Sequence, residues 1–175
     1  MQNNVSVSLA EFRVSRDPDD VLVAYSLGSC VGFAVWDPKT KVGGLAHIVL
    51  PSSTGSMIAP SCNGWGAAPV PDQSMQGKYA DTAVPSLLAR MQEEGCQMKR
   101  LLAYMAGGAH VLRGLTWPGG DIGSANVKAA LEAARKMGVK VLSSAIGDSY
   151  GRTMRLYVST GRVTVSSVGR EERDM

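Results

Sequence analysis

Three short apolar runs follow one another with only brief turns between them, and they commit the first third of the chain to paired strands. Val21-Leu-Val-Ala-Tyr-Ser26 is rich in β-branched residues and too short for a helix. Val31-Gly-Phe-Ala-Val-Trp36 comes next, after Leu27-Gly-Ser-Cys30. Val42-Gly-Gly-Leu-Ala-His-Ile-Val-Leu50 follows after Asp37-Pro-Lys-Thr-Lys41 and stops at Pro51. Asp and Pro lead the second turn, and its two lysines hold it in water. The second and third runs are therefore expected to form a hairpin.

That hairpin has a chemical consequence. If Asp37–Thr40 is a four-residue loop, Trp36 faces Lys41 and Cys30 lies directly across from His47. A five-residue loop sets His47 beside Val31 and moves thiol and imidazole to different faces. Opposed Cβ atoms in antiparallel strands lie roughly 4.5–5.5 Å apart. A thiolate is the reactive form of cysteine, and a neighbouring histidine both lowers the thiol pKa and carries its proton. Gly28 and Ser29 suit a tight turn that leaves backbone N–H groups for an oxyanion. Gly107 and Gly108, which close a later strand, join them as candidates for the substrate and oxyanion rim. Plainer readings compete. A cysteine at a strand end is usually a small core residue, and a histidine within Leu45-Ala-His-Ile-Val is usually a hydrogen-bonded core residue. Their meeting at pairing distance is what favours chemistry.

The rest of the chain alternates helices and strands. Residues 51–78 are dominated by Gly, Pro, Ser and Ala without a usable period, and a loop of that length is functional or disordered. Asp81 is the expected N-cap of a helix with Pro85 in its first turn, Val84, Leu87, Leu88 and Met91 on one face, and Gly95 at its end. Leu101–Ala106 reads as a buried strand. A second helix is expected over Ser124–Met137, with Val127, Ala130, Leu131 and Ala134 inward. Val139–Ala145 is another strand, and Arg152–Ser159 pairs with Arg162–Val168 around Thr160-Gly161. The expected fold is α+β, with mostly antiparallel or mixed sheets packed together and flanked by two main helices. It forms one domain over residues 1–168, followed by a charged, frayed tail at 169–175.

Composition narrows the function classes. A net charge of +3 with scattered Lys and Arg gives no nucleic-acid surface. No apolar run approaches the ~18 residues of a membrane helix, and the opening Met1-Gln-Asn-Asn lacks a secretory signal, so a cytoplasmic protein is expected. The three cysteines, Cys30, Cys62 and Cys96, have no framework spacing and are expected to be free thiols. With two histidines and no C-x-x-C pair, a structural zinc site is not expected. The Gly-Gly pairs make no nucleotide-binding pattern. His110 is a second polar group near a Gly-Gly turn, for which a structural role is expected.

Taken together, several of these segments resemble the CheD family of chemoreceptor glutamine deamidases. They are Leu27-Gly-Ser-Cys30, Asp37-Pro38, Gly44-Leu-Ala-His47-Ile-Val-Leu-Pro51, Lys78-Tyr-Ala-Asp-Thr-Ala83, Ala106-Gly-Gly-Ala109, Ile122-Gly-x-x-Asn126 and the closing Tyr157…Thr160-Gly-Arg hairpin. The resemblance implies a fold similar to the cytotoxic necrotizing factor-like cysteine hydrolases. It implies glutamine side chains of methyl-accepting chemotaxis receptors as substrate, a CheC-like phosphatase as a further partner, and no cofactor. It also implies Cys30 as nucleophile and His47 as base, with a hydroxyl residue, usually threonine, six residues before the cysteine to orient the histidine. Ala24 stands there, so Ser26, on the same strand face, is the candidate orienter. The 51–78 loop, with Cys62 and Trp65, looks longer than the family's. An ester could follow the same route as an amide, which leaves receptor methylesterase activity open. The alternatives are a catalytically weak adaptor that binds receptors or a CheC-like phosphatase, and a cysteine amidase with a non-receptor substrate. A monomer is expected, since no interface stripe is evident.

Overall fold

The computed structural model describes residues 1–54, 75–111, 116–117 and 120–175. Twelve strands lie among them: β1 (Asn3–Ser6), β2 (Phe12–Ser15), β3 (Asp20–Leu27), β4 (Val31–Asp37), β5 (Val42–Ile48), β6 (Leu102–Gly107), β7 (Thr116–Trp117), β8 (Gly120–Asp121), β9 (Val141–Ile146), β10 (Arg152–Tyr157), β11 (Val163–Ser167) and β12 (Arg170–Asp174). Helices α1 (Ala80–Glu93) and α2 (Ile122–Lys136) complete the α+β fold. One five-stranded sheet runs β1-β3-β10-β11-β12, the other β2-β5-β4-β6-β9, and β7-β8 form a small ribbon. Most pairs are antiparallel; β1-β3 and β6-β9 are parallel.

The layering follows from the residue pattern of β4 and β5, both buried along their whole length. Fully buried strands must be covered on both faces. Phe33, Val35, Ala46 and Ile48 pack with Leu87, Leu88 and Met91 of α1 and Ala130 and Ala134 of α2. Ala34, Trp36 and Leu45 pack the other way, against Leu22, Met154, Leu156 and Val165 of the first sheet. The second sheet is therefore the middle of three layers. Each large apolar side chain fully buried there contributes about 1.5–3 kcal/mol relative to exposure.

The β4–β5 register differs from both expected registers. Asp37 pairs with Val42, Trp36 with Gly43, Gly32 with His47 and Val31 with Ile48. The loop is Pro38–Lys41, displaced by one residue. Lys41 adopts the left-handed conformation (φ 57) and donates its N–H to the Asp37 carbonyl, which keeps Asp37 in the ladder. Two residues of slip preserve facing because the side-chain period is two. Opposite His47, Gly32 makes room for Leu27 and Met154: a Cβ there would stand 2.8 Å from Leu27 Cδ1 and 3.0 Å from Met154 Sδ.

Other expectations are corrected locally. Tyr79, not Asp81, caps α1, and the Asp81 carboxylate accepts from the Ser52 hydroxyl (2.7 Å) and the Ser53 N–H (2.9 Å) instead. Pro85 falls past the first turn of that helix. Helix α2 begins two residues before Ser124, because Asp121 caps it by accepting from Gly123 N–H at 2.8 Å. Leu131 is exposed, and Ala133 takes its place in the buried face. Residues 170–174 are not frayed: β12 pairs with β11, and Arg162 binds Asp174 at 2.6 Å. Cys62, Trp65 and most of the 51–78 loop lie outside the described residues. No helix among the described residues is long and apolar enough to cross a membrane.

The far end of the hairpin is fixed by charge. Asp37 is fully buried and accepts from Arg100 Nη2 at 2.7 Å and Nε at 3.0 Å. Burial pushes its carboxyl up, but the Arg100 guanidinium and the Lys39 and Gln97 N–H groups outweigh it and hold the pKa down to about 2. Arg100→Met is expected to cost about 3 kcal/mol by stranding that carboxylate, read as a shift in the denaturant midpoint. The wild-type contribution is complete above the unfolded carboxylate pKa of about 3.9 and is lost as pH falls toward the folded value.

Candidate active site

Cys30 lies at the end where β4 begins, in the turn Gly28–Cys30. Its backbone is pinned by its carbonyls. The Gly28 carbonyl accepts from Ala109 N–H (2.7 Å), the Ser29 carbonyl from Asn126 Nδ2 (2.9 Å) and the Cys30 carbonyl from Gly108 N–H (2.8 Å). Among the described residues, no other group accepts from the Ser29 N–H, and the Cys30 N–H faces its own sulfur. With the Gly28 N–H spent on the Ser26 carbonyl (2.8 Å), the Ser29 and Cys30 N–H groups are the ones this turn leaves for an oxyanion.

His47 comes from the middle sheet and faces the first sheet, on the same side as Cys30. It is 3% exposed. Its backbone is tied on both sides, donating to the Glu11 carbonyl (2.9 Å) and accepting from Ala10 N–H (3.1 Å). Nδ1 lies 3.2 Å from the Val7 carbonyl, an acceptor only, so Nδ1 carries the proton. That leaves Nε2 as the basic nitrogen. It is buried and has no hydrogen-bond partner among the described residues. Cys30 is diagonal to His47, two residues along from Gly32. Diagonal neighbours stand roughly 7–8 Å apart between Cα atoms, and less between side chains.

Both groups rest uncharged. Burial pushes the Cys30 thiol up, partly opposed by its own backbone N–H. Burial lowers the His47 pKa below its ordinary 6.5, partly opposed by the Val7 carbonyl. Both directions favour a neutral thiol and imidazole over a thiolate–imidazolium pair.

The remaining candidates separate. Ser26 does not orient the histidine: it is exposed, its φ of 55 ends the strand alternation, and Val7 already occupies Nδ1. Ala24 is fully buried between the sheets and carries no polar group there. Gly28 spends its N–H on the Ser26 carbonyl (2.8 Å), and Gly108 spends its own on Cys30, so neither is an oxyanion donor. Gly107 pairs with Val31 and, with Gly108, shapes the floor under Cys30. Cys96 is buried near Thr40 (3.3 Å), at the opposite end of the hairpin. His110 is largely exposed and lies 3.4 Å from Asp121. Two contributors escaped the sequence reading as site residues. Val7 acts through its backbone and carries no residue-type signal. Asn126 did carry one, as a polar residue on the buried face of α2 beside Gly123 and Ala130.

A half-buried thiol, an imidazole whose Nε2 is unengaged among the described residues and a turn with the Ser29 N–H unspent there are the parts that thiol acyl transfer needs. The chain belongs to the CheD family: the model described as CheD chemotactic sensory transduction matches residues 66–167. It is 40% identical to the probable chemoreceptor glutamine deamidase CheD of Symbiobacterium thermophilum, over 97% of this chain and 96% of that one. It is 37% identical to the probable chemoreceptor glutamine deamidase CheD 1 of Syntrophus aciditrophicus, over 98% and 99%. The probable chemoreceptor glutamine deamidase CheD of Archaeoglobus fulgidus is 36% identical, over 94% of each. Among solved structures, the hypothetical protein YfiH of Bacillus licheniformis matches at 12% identity with a TM-score of 0.39, over 79% of this chain and 49% of that one.

Proposed function

We propose that this protein deamidates glutamine side chains of chemotaxis receptors, with Cys30 as nucleophile and His47 as general base and acid. The observation that carries it is the His47 imidazole, whose Nδ1 is fixed by Val7 and whose Nε2, on the thiol's side of the sheet, is unengaged among the described residues. Nε2 takes the thiol proton, and the thiolate attacks the carboxamide carbon. The oxyanion is held by the Ser29 and Cys30 N–H groups. His47 returns its proton to the departing ammonia, leaving a thioester on Cys30. Water, deprotonated by Nε2, attacks the thioester; glutamate leaves and the thiol is restored. A glutamyl methyl ester fits the same steps with methanol leaving in place of ammonia.

This reading brings a cytoplasmic location, since the substrates lie on receptor cytoplasmic domains. It also brings a CheC-like phosphatase as a competing partner, which a pull-down against receptor fragments tests. The adaptor alternative draws on Ala24, where a hydroxyl was expected behind the histidine. The Val7 carbonyl supplies that function and favours the enzyme.

The test is mass spectrometry of a receptor cytoplasmic fragment incubated with the wild type and with Cys30→Ala. Amide-to-acid mass gain at glutamine with the wild type alone is expected. Unmodified glutamines with both proteins, while both still bind the fragment, would leave the adaptor.

A further inference from the structure

The last ladder pair of the hairpin is Val31 with Ile48, one residue short of Cys30. Beyond it the two strands diverge. The Gly28–Cys30 turn bonds to Gly108 and Ala109, whereas Val49 and Leu50 both donate to the Lys78 carbonyl. Continuing the register, Val49 is the residue opposite Cys30. Asn126 of α2 spans this gap. Its Nδ2 donates to the Ser29 carbonyl at 2.9 Å and to the Val49 carbonyl at 2.9 Å.

Two carbonyl acceptors fix the amide's orientation, because only the NH₂ group donates. Asn126 is wholly buried, and its Oδ1 has no partner among the described residues. A buried polar group left half satisfied needs a reason to be there. The two carbonyls supply one: they flank the residue that carries the thiol, on the two strands whose separation sets how far it stands from the imidazole. His47 is anchored independently, by Glu11, Ala10 and Val7. Of the three bonds that hold the Cys30 turn, to Ala109, Asn126 and Gly108, the Asn126 bond alone also reaches the His47 strand, at Val49.

We propose that Asn126 is a positioning residue that closes the open end of the hairpin and sets the approach of Cys30 to His47. The proposal rests on the Cys–His reading above. Removing the clamp lets the strand ends splay while the ladder below them stays intact. Misplacing reacting groups by about 1 Å costs on the order of 100-fold in rate.

The experiment compares wild type, Asn126→Ala, Asn126→Asp and His47→Ala. Each is measured for melting temperature, for receptor-fragment kcat and KM, and for the pH profile of Cys30 alkylation by iodoacetamide. Asp keeps the shape but offers no NH₂ donor. The expected result is a fall in kcat of ~10–100-fold in both Asn126 variants with KM within about twofold. Their alkylation profiles should converge on that of His47→Ala, because a displaced thiol no longer senses the imidazole. Folded Asn126 variants with the wild-type profile and kcat would overturn the proposal, as would losses that only track the unfolded fraction. Should neither variant fold, the Asn126 side-chain NH₂ protons of the wild type decide. Protection from solvent exchange that is lost when iodoacetamide caps Cys30 supports coupling of clamp and thiol; exchange indifferent to capping overturns it. A His47→Ala profile identical to wild type would instead take down the Cys–His reading, and the proposal with it.

Discussion

Replacing His47 by alanine is expected to lower kcat on a receptor fragment by about 10³–10⁴-fold, with KM little changed. The size follows from the resting state of the pair. Burial keeps the thiol protonated at neutral pH, its pKa lying above the ordinary 9.0. Without the imidazole, attack must wait for the small fraction of spontaneous thiolate, and the leaving ammonia has no proton donor. Cys30→Ala removes the nucleophile as well, and the double variant should be no worse than either alone, as expected of groups acting as one unit. Additive losses would show that His47 works independently of Cys30.

The same burial dictates the pH dependence. The His47 pKa is lowered, so Nε2 stays basic below pH 6.5, and kcat/KM should hold through mildly acid conditions before its acid limb falls. The sign for stability follows from linkage. A histidine neutral in the fold binds fewer protons than in the unfolded chain, so its contribution is complete above the unfolded pKa of about 6.5. It is lost as pH falls below that value toward the depressed folded pKa. His47→Gln should flatten this part of the stability profile.

How far the sequence reveals this site depends on whether side chains or backbone do the work. β3, β4, β5 and β6 are legible as short apolar runs bounded by turn residues, and both helices by their clean apolar period. β1 and β2 are not, being four residues each, β1 largely exposed and β2 mostly half-buried. The facing of Cys30 and His47 is legible as a parity. Their separation is not, since it depends on Lys41 entering the left-handed region, which no period encodes. Ser26 fails for the same kind of reason: strand alternation from Ala24 places it inward, and one positive φ turns it out. β12 is hidden by composition. All five of its residues are exposed, so no apolar pattern marks it, and pairing with β11 plus the ion pair to Arg162 orders it.

Gly107→Ala should abolish activity nearly as completely as loss of His47, although Gly107 carries no reacting side chain. Its φ of 106 lies where a side chain is strained, and a Cβ there would stand 2.2 Å from the Cys30 carbonyl oxygen. That oxygen is backbone, held by the Gly108 N–H at 2.8 Å, and cannot rotate away as a side chain would. The clash is relieved only by moving Cys30 or by pulling β6 off β4, where Gly107 pairs with Val31. Backbone strain together with the lost bond predicts destabilisation of about 2–4 kcal/mol. Gly108→Ala is the control. Its Cβ would first meet Val127 Cγ2 at 2.2 Å, the end of a side chain that can shift, with the Gly123 carbonyl next at 3.0 Å. It should fold better and keep more activity than Gly107→Ala, despite a φ of 61. Equal losses in the two variants, with equal melting temperatures, would mean that the floor under Cys30 does not set the position of its sulfur.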